Sequence, residues 1–146
     1  MHPYPHLYQA AARGQATGDV TVTSPSLPDI LTAPPPEFDG PGGRWSPETL
    51  LCAAVANCYI LTFRGVSRAA RFEWSKLDCR VEGTLERVDG QTRFTRFTTF
   101  VELTVPAGAD SGQARKLLER AEQVCLVSNS LSGARELEIS IVESAA

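Results

Sequence analysis

The longest hydrophobic segment of the chain lies in residues 50–63, where Asn57 and Thr62 are the polar interruptions. Its apolar residues would lie on every face of a helix, which is typical of a helix buried in a protein or a bilayer. The segment is shorter than the roughly 20 residues that cross a membrane, and arginines follow it directly, so we interpret it as the central helix of a soluble core. Ser46 and Pro47 predict its start, because serine caps helical amides and proline suits the first helical position.

Before this helix the pattern predicts short extended segments. Residues 20–23 are all β-branched and predict a strand, and residues 7–10 allow a second short strand. Prolines interrupt residues 27–31, so an extended segment there belongs at a sheet edge. The glycine-rich residues 38–43 predict a loop that leads to the helix.

After the helix, alternating apolar and polar residues predict a β-hairpin. The alternation covers residues 77–86 and 96–105, and Asp89-Gly90 between them is a strong turn signal. Residues 111–124 have helical spacing with one apolar face, and either Asp110 or Ser111 can cap that helix.

Residues 136–142 alternate again and predict a last strand. Strands, a helix, a hairpin, a second helix and a strand in this order are typical of an α+β fold. A chain of 146 residues is long enough for one ordinary core, and we predict a single domain over residues 1–146.

Composition and charge exclude several classes of function. The net charge is −3 and no basic cluster alternates with aromatic residues, which argues against a nucleic-acid partner. The first residues lack the positive and apolar regions of a secretory signal, so we expect a cytoplasmic protein with no membrane partner. In that compartment the four cysteines are expected to be thiols rather than structural disulfides. With no C-x-x-C spacing and two histidines close together, the sequence predicts no metal site.

Two of the four cysteines are candidates for chemistry. A cysteine in the middle of an apolar helix is more often a packing residue than a nucleophile, so the residues alone leave both interpretations of Cys58 open. Cys125 ends the second predicted helix beside a polar turn, where we expect an accessible thiol. The two are compatible with a peroxidatic and resolving pair, although spacing does not show that they meet. Cys52 and Cys79 are predicted to be packing residues.

Two sequence blocks carry a family resemblance. They are S-P-E-x-L-L-x-A-A-x-x-x-C over residues 46–58 and A-E-x-x-C-x-V-S-N-S-L over residues 121–131. In this order they resemble the OsmC/Ohr family of thiol-dependent organic hydroperoxide reductases. The resemblance implies an OsmC-like α+β fold, in which a long buried central helix packs on an antiparallel sheet. It also implies an intertwined homodimer with active sites at the subunit interface, and no cofactor.

The resemblance also implies the residues of the catalytic site. Cys58 matches the first cysteine, Cys125 the second, and Glu48 the glutamate. The turn that contains Arg13 looks like the arginine-bearing loop of the family, and Arg44 is the alternative. Leu126 is a departure, because many relatives have proline after the second cysteine.

Helix geometry adds a constraint to this site. Glu48 and Cys58 are ten residues apart, about 15 Å along a helix, so Glu48 can serve only the Cys58 of another subunit. Burial would raise the pKa of Cys58, and we expect Arg13, held by Glu48, to offset that by stabilising the thiolate.

The implied reaction is the reduction of organic hydroperoxides to alcohols. Cys58 would form a sulfenic acid and then a disulfide with Cys125, which a dithiol of lipoyl type reduces. Tyr59, Phe63 and Trp45 are candidates for an apolar substrate pocket, although they are also ordinary core residues. Two alternatives remain open: a non-catalytic dimer that binds a small apolar ligand, and a redox-sensing dimer.

Overall fold

The computed structural model describes residues 1–145 and divides the chain into two compact units, Met1–Leu50 and Leu51–Ala146. A short 3-10 turn at Pro36–Phe38 precedes the first α-helix. The remaining elements, in chain order, are β1 (Ala11–Arg13), β2 (Val20–Thr23), β3 (Ile30–Thr32), α1 (Pro47–Ala69), β4 (Lys76–Val88), β5 (Gln91–Val105), α2 (Ser111–Val124), α3 (Leu126–Asn129) and β6 (Ala134–Glu143).

The first unit contains a small antiparallel sheet with the order β1-β2-β3. The predicted strand at residues 20–23 is confirmed as β2, and the segment predicted at a sheet edge provides the edge strand β3. The strand allowed at residues 7–10 was wrong, because β1 begins at Ala11. Ala12 pairs with Val22 across the turn at Gly18, and this pairing places the strand at residues 11–13 instead of 7–10.

Ser46 starts α1 as the sequence predicts. The Thr49 amide donates to Ser46 Oγ at 3.1 Å, and the Ser46 amide donates to Thr49 Oγ1 at 2.9 Å. These two bonds satisfy two amides that would otherwise lack partners at the start of the helix. The arrangement is that of a capping box, with threonine in place of the usual glutamate or glutamine. The helix continues to Ala69, beyond the apolar segment.

The second unit is built on a sheet with the order β4-β5-β6. The predicted hairpin is confirmed: β4 and β5 run antiparallel around Asp89 and Gly90, whose φ angles are 52° and 77°. β6 pairs parallel to β5, so the sheet is mixed rather than wholly antiparallel. Parallel neighbours need a crossover connection, and α2 and α3 provide it. Asp110 caps α2 by accepting a bond of 3.0 Å from the Gln113 amide.

The core of this unit lies between the sheet and one stripe of α1. The Tyr59 and Phe63 side chains are fully buried against Leu103 of β5 and Leu118 of α2. The Tyr59 hydroxyl donates to the Leu118 carbonyl at 2.8 Å, which satisfies the buried phenol. The chain segment before Cys125 is thus fixed to α1.

The opposite side of α1 is left exposed by the described residues 1–145. The sequence predicted burial on all faces, but the fully buried positions are confined to one stripe, and Leu61 is 54% exposed. Only 17% of the most apolar stretch is buried, and by length and composition alone α1 qualifies as a membrane-spanning helix. An exposed apolar helix face of this extent is typical of a surface that binds a partner protein or a membrane. The buried stripe of α1 comprises Val55, Tyr59, Phe63 and Ser67.

Candidate active site

Cys58 lies in the middle of α1 with a partly exposed side chain. Its Sγ is 3.7 Å from Thr62 Oγ1, one helical turn later. The backbone amides of Leu126 and Val127, at the start of α3, also hydrogen-bond to this thiol. A sulfur surrounded by hydrogen-bond donors is stabilised as a thiolate.

Cys125 lies between α2 and α3 and is fully buried. Its carbonyl accepts the Asn129 amide at 2.9 Å, which closes the single turn of α3. Its thiol is hydrogen-bonded to Cys58, so the fold brings the two predicted cysteines together, both as free thiols. The expectation that Cys125 would be an accessible thiol was wrong: Cys125 is fully buried, Ser128 of α3 hydrogen-bonds to its sulfur, and Cys58 is the more exposed of the two.

The environments of the two thiols shift their pKa values in opposite directions. Burial acts to raise the pKa of Cys58, but hydrogen bonds from the Val127 amide, the Cys125 thiol, the Thr62 hydroxyl and the Leu126 amide together lower it. Burial raises the pKa of Cys125, and the interaction with Cys58 adds to that rise. The pair therefore ionises first at Cys58.

The sequence led us to expect that Arg13 offsets the effect of burial on the pKa of Cys58, and hydrogen bonds within this chain already do so. Backbone amides from a different part of the chain, together with two side-chain donors, offset the cost of burial. Thr62 carried a local signal, since residues four apart share a helix face. The amides of Leu126 and Val127 carried none, because a backbone donor exists at every residue except proline.

Glu48 lies in the first unit beside an apolar cavity of about 380 Å³. Strands β1 and β2, Pro34, Pro35 and Phe38 contribute to its walls. One carboxylate oxygen of Glu48 is buried without a hydrogen-bond partner. A buried carboxylate oxygen normally has a donor, and none of the described residues 1–145 supplies one here.

Neither candidate arginine reaches Glu48. Arg13 lies on the exposed strand β1 and pairs with no acidic side chain among residues 1–145. The Arg44 side chain instead donates to Asp19 at 3.0 Å, in a solvent-exposed ion pair.

The three candidate substrate residues differ in exposure. Tyr59 and Phe63 are both 0% exposed and belong to the core cluster. Trp45 is 51% exposed and lies next to Thr49 at a shallow surface pocket. Of the three, only Trp45 has a side chain that a ligand can contact without a rearrangement of the core.

The remaining two cysteines are packing residues, as the sequence predicts. Cys79 lies against the core cluster, and burial, followed by the charges of Glu122 and Cys125, raises its pKa to about 12. Cys52 packs against Gly83, where an added Cβ would lie 3.0 Å from the Cys52 sulfur, and burial raises its pKa. Both thiols are therefore held in the neutral form.

Comparison with known sequences identifies one family. The sequence profile of OsmC-like proteins matches residues 40–140. The chain is 28% identical to the uncharacterized protein YmaD of Bacillus subtilis over 138 residues, which cover 92% of this chain and 91% of that protein.

Comparison with solved structures gives the same fold. An OsmC-like protein of unknown function from Vibrio cholerae matches with a TM-score of 0.84 at 17% identity, covering 92% of this chain and 99% of its own. An organic hydroperoxide resistance protein from Legionella pneumophila matches with a TM-score of 0.76 at 24% identity, covering 96% and 99%. These likenesses confirm the predicted α+β architecture.

Proposed function

The chain belongs to the OsmC-like protein family, and from this premise we propose that it is a cysteine-based peroxidase that reduces organic hydroperoxides to alcohols. One observation carries the proposal: a partly exposed thiol of lowered pKa is hydrogen-bonded to a buried second thiol. This is the arrangement that a peroxidatic and a resolving cysteine require. The name of the Legionella relative, an organic hydroperoxide resistance protein, supports the same substrate class.

In the first step, the Cys58 thiolate attacks the terminal oxygen of the hydroperoxide. The S–O bond forms as the O–O bond breaks, and the alkoxide leaves and takes up a proton to give the alcohol. The product at the protein is a Cys58 sulfenic acid. The amides of Leu126 and Val127 hold the attacking sulfur as a thiolate, so no separate base is needed at this residue.

In the second step, the Cys125 thiolate attacks the Cys58 sulfur and displaces hydroxide, which is protonated to water. Ser128 assists, because its backbone amide and hydroxyl hydrogen-bond to the Cys125 sulfur and act against the rise in pKa caused by burial. A dithiol reductant then supplies two electrons and two protons to restore both thiols. We propose a dithiol of lipoyl type, as the family resemblance implies.

The proposed functional unit is a homodimer in which each active site takes residues from both chains. The uncovered apolar face of α1 supplies a surface for a second copy. Glu48 is about 15 Å along the helix from Cys58 of its own chain, so we propose that it serves the partner subunit's Cys58. The unpartnered oxygen of Glu48 supports a role in which it accepts from an arginine, and Arg13 is our candidate.

An apolar surface around the thiol favours an organic substrate over hydrogen peroxide. The α1 face that carries Cys58 also carries Leu61, which is exposed. Burying an alkyl chain contributes roughly 25 cal/mol for each Å² removed from water, and hydrogen peroxide offers no such area. We propose that this reaction takes place in the cytoplasm, where a reduced dithiol pool maintains the thiols.

The decisive experiment treats the reduced protein with one equivalent of an organic hydroperoxide and maps the product by peptide mass spectrometry. We expect the mass to fall by about two hydrogens and the Cys58 and Cys125 peptides to be linked. A disulfide that no dithiol turns over would indicate a redox sensor. A protein whose thiols do not react at micromolar peroxide would be a ligand-binding dimer rather than a peroxidase.

A further inference from the structure

A network of hydrogen bonds encloses the Cys125 turn. Arg135, near the start of β6, donates from Nε to Glu122 Oε1 at 2.8 Å and also contacts the Glu122 carbonyl. Its Nη1 donates to Asn129 Oδ1 at 2.7 Å. Asn129 in turn donates from its side-chain amide to the Gln123 carbonyl at 3.1 Å. One guanidinium therefore connects the last turn of α2 to the end of α3, with Cys125 between them.

The Arg135 side chain is anchored to a rigid element. The backbone of Arg135 is paired with Phe97 in the parallel β5–β6 ladder, so the guanidinium is fixed to the sheet rather than to the turn. The Glu122 side chain is only 16% exposed and that of Arg135 29% exposed, so solvent screens this ion pair less than the other ion pairs of the described chain. A planar fork that bonds two partners at once restricts their distance and orientation.

We propose that Arg135 is a positioning residue for the resolving step, which holds the Cys125 turn so that the Cys125 sulfur stays within reach of the Cys58 sulfur. This inference rests on the proposed peroxidase function and extends it to a residue outside the thiol pair. Asn129 relays the restraint, because it bonds both Arg135 and the end of α2. The same turn carries the amides of Leu126 and Val127, so the network also fixes the donors to Cys58.

The Cys58 sulfenic acid has two competing fates, and the position of Cys125 decides between them. In one, the Cys125 thiolate attacks the Cys58 sulfur, the S–S bond forms and hydroxide leaves as water. In the other, a second hydroperoxide molecule transfers an oxygen to the same sulfur, which yields sulfinic acid and an alcohol. Displacing Cys125 slows the first reaction, whereas the second reaction does not involve Cys125.

The test uses two substitutions that weaken the network without leaving Glu122 as an uncompensated buried charge. Arg135→Lys keeps the positive charge beside Glu122, but its single nitrogen cannot occupy both positions from which Nε and Nη1 of Arg135 bond Glu122 and Asn129. Asn129→Ala removes the link to α3 at an exposed position. Arg96→Lys is the matched control, because Arg96 makes a single exposed contact of 3.5 Å with Glu136 on the same sheet.

Each variant is treated with a fixed excess of organic hydroperoxide, and the ratio of sulfinic acid to disulfide at Cys58 is measured by mass spectrometry. We expect that ratio to rise about tenfold in R135K and N129A, since small misplacements of reacting groups cost factors of this size. The R96K ratio should equal that of the wild type. Thermal unfolding is measured on the same samples, and a ratio that tracks melting temperature rather than the network would assign Arg135 a purely structural role.

The outcomes separate this inference from the proposed function. If the wild type forms the disulfide and both network variants keep its product ratio, the positioning role is wrong and the peroxidase proposal stands. If the wild type forms neither disulfide nor sulfinic acid, the peroxidase proposal fails, and the positioning role fails with it.

Discussion

The thiols of Cys58 and Cys125 hydrogen-bond to each other, and the pKa of Cys58 falls while that of Cys125 rises. Cys125 is the donor in this pair and Cys58 the acceptor. We therefore expect the more exposed Cys58 to react with peroxide first, and Cys125 to stay a neutral thiol until Cys58 has been oxidised.

Replacing Cys125 by alanine should make Cys58 less acidic. Cys125→Ala removes a donor from the Cys58 sulfur, whereas Cys125→Ser keeps a hydroxyl donor there. Iodoacetamide reacts with the thiolate, so the pH at which alkylation of Cys58 reaches half its maximal rate reports the pKa. We expect that midpoint to move to higher pH in C125A and to move much less in C125S.

The control for this measurement carries Cys52→Ser and Cys79→Ser in every protein, so that Cys58 is the reacting thiol. Equal midpoints in wild type, C125A and C125S would show that the thiol contact does not stabilise the Cys58 thiolate.

Replacing Leu126 by proline should remove a single amide donor at little structural cost. Leu126 is the first residue of α3, a position that suits proline, and Cys125 before it has φ −65° and ψ 108°, which proline permits. We expect L126P to raise the pKa of Cys58, because the amide that bonds its sulfur is lost. The alkylation midpoint measures this change.

Leu126→Ala is the matched control, since it removes the exposed side chain and keeps the amide. A midpoint that shifts equally in L126P and L126A would assign the effect to the side chain and contradict the role of the backbone donor.

Mixed dimers should restore activity between two inactive variants. In a dimer of one Glu48→Gln chain and one Cys58→Ser chain, one site would combine Glu48 from the second chain with Cys58 from the first. The other site would lack both residues, so half of the sites in the mixed dimer would be intact, and we expect about half of wild-type peroxidase activity.

The two chains are co-expressed with different tags, and the mixed dimer is purified before the assay. A mixed dimer as inactive as either parent, with its subunits demonstrably paired, would show that Glu48 does not serve the partner's Cys58.

Removing the Ser67 hydroxyl should destabilise the core. Ser67 Oγ accepts from Trp74 Nε1 at 2.8 Å and donates to the Phe63 carbonyl at 2.7 Å. Ser67→Ala leaves the indole donor without a partner, so we expect a loss of about 1–3 kcal/mol in the free energy of unfolding. Urea denaturation measures it, with Ser75→Ala as control, because the Ser75 hydroxyl bond is exposed. Equal stability of S67A and S75A would contradict the argument.

Local signals in the sequence account for most of the fold. The cap at Ser46, the turn at Asp89 and the amphipathic helix after Asp110 are each encoded within a few residues, and all three are confirmed. Burial is harder to predict, because it depends on contacts with residues that are distant in the sequence. The accessibility of Cys125 and the coverage of α1 were therefore predicted wrongly, since tertiary contacts decide both.

The candidate site also combines features that the sequence predicts with features that only tertiary contacts determine. Cys58 and Cys125 are recognisable by residue type, and the fold brings them together. Two of the four donors that lower the pKa of Cys58 are backbone amides in the crossover connection, and no residue type marks them. Arg135 stands outside both recognised blocks, so its hydrogen bonds to Glu122 and Asn129 emerge only from the structure.

The parallel pairing of β6 with β5 sets an order of assembly for the site. As the chain leaves the ribosome, Cys58 emerges long before Arg135, so Arg135 cannot hold the Cys125 turn until β6 pairs with β5. Pairing of segments that are distant in the sequence costs loop-closure entropy, which makes it slow. We therefore expect a nascent chain to carry Cys58 before the amides that lower its pKa are in place.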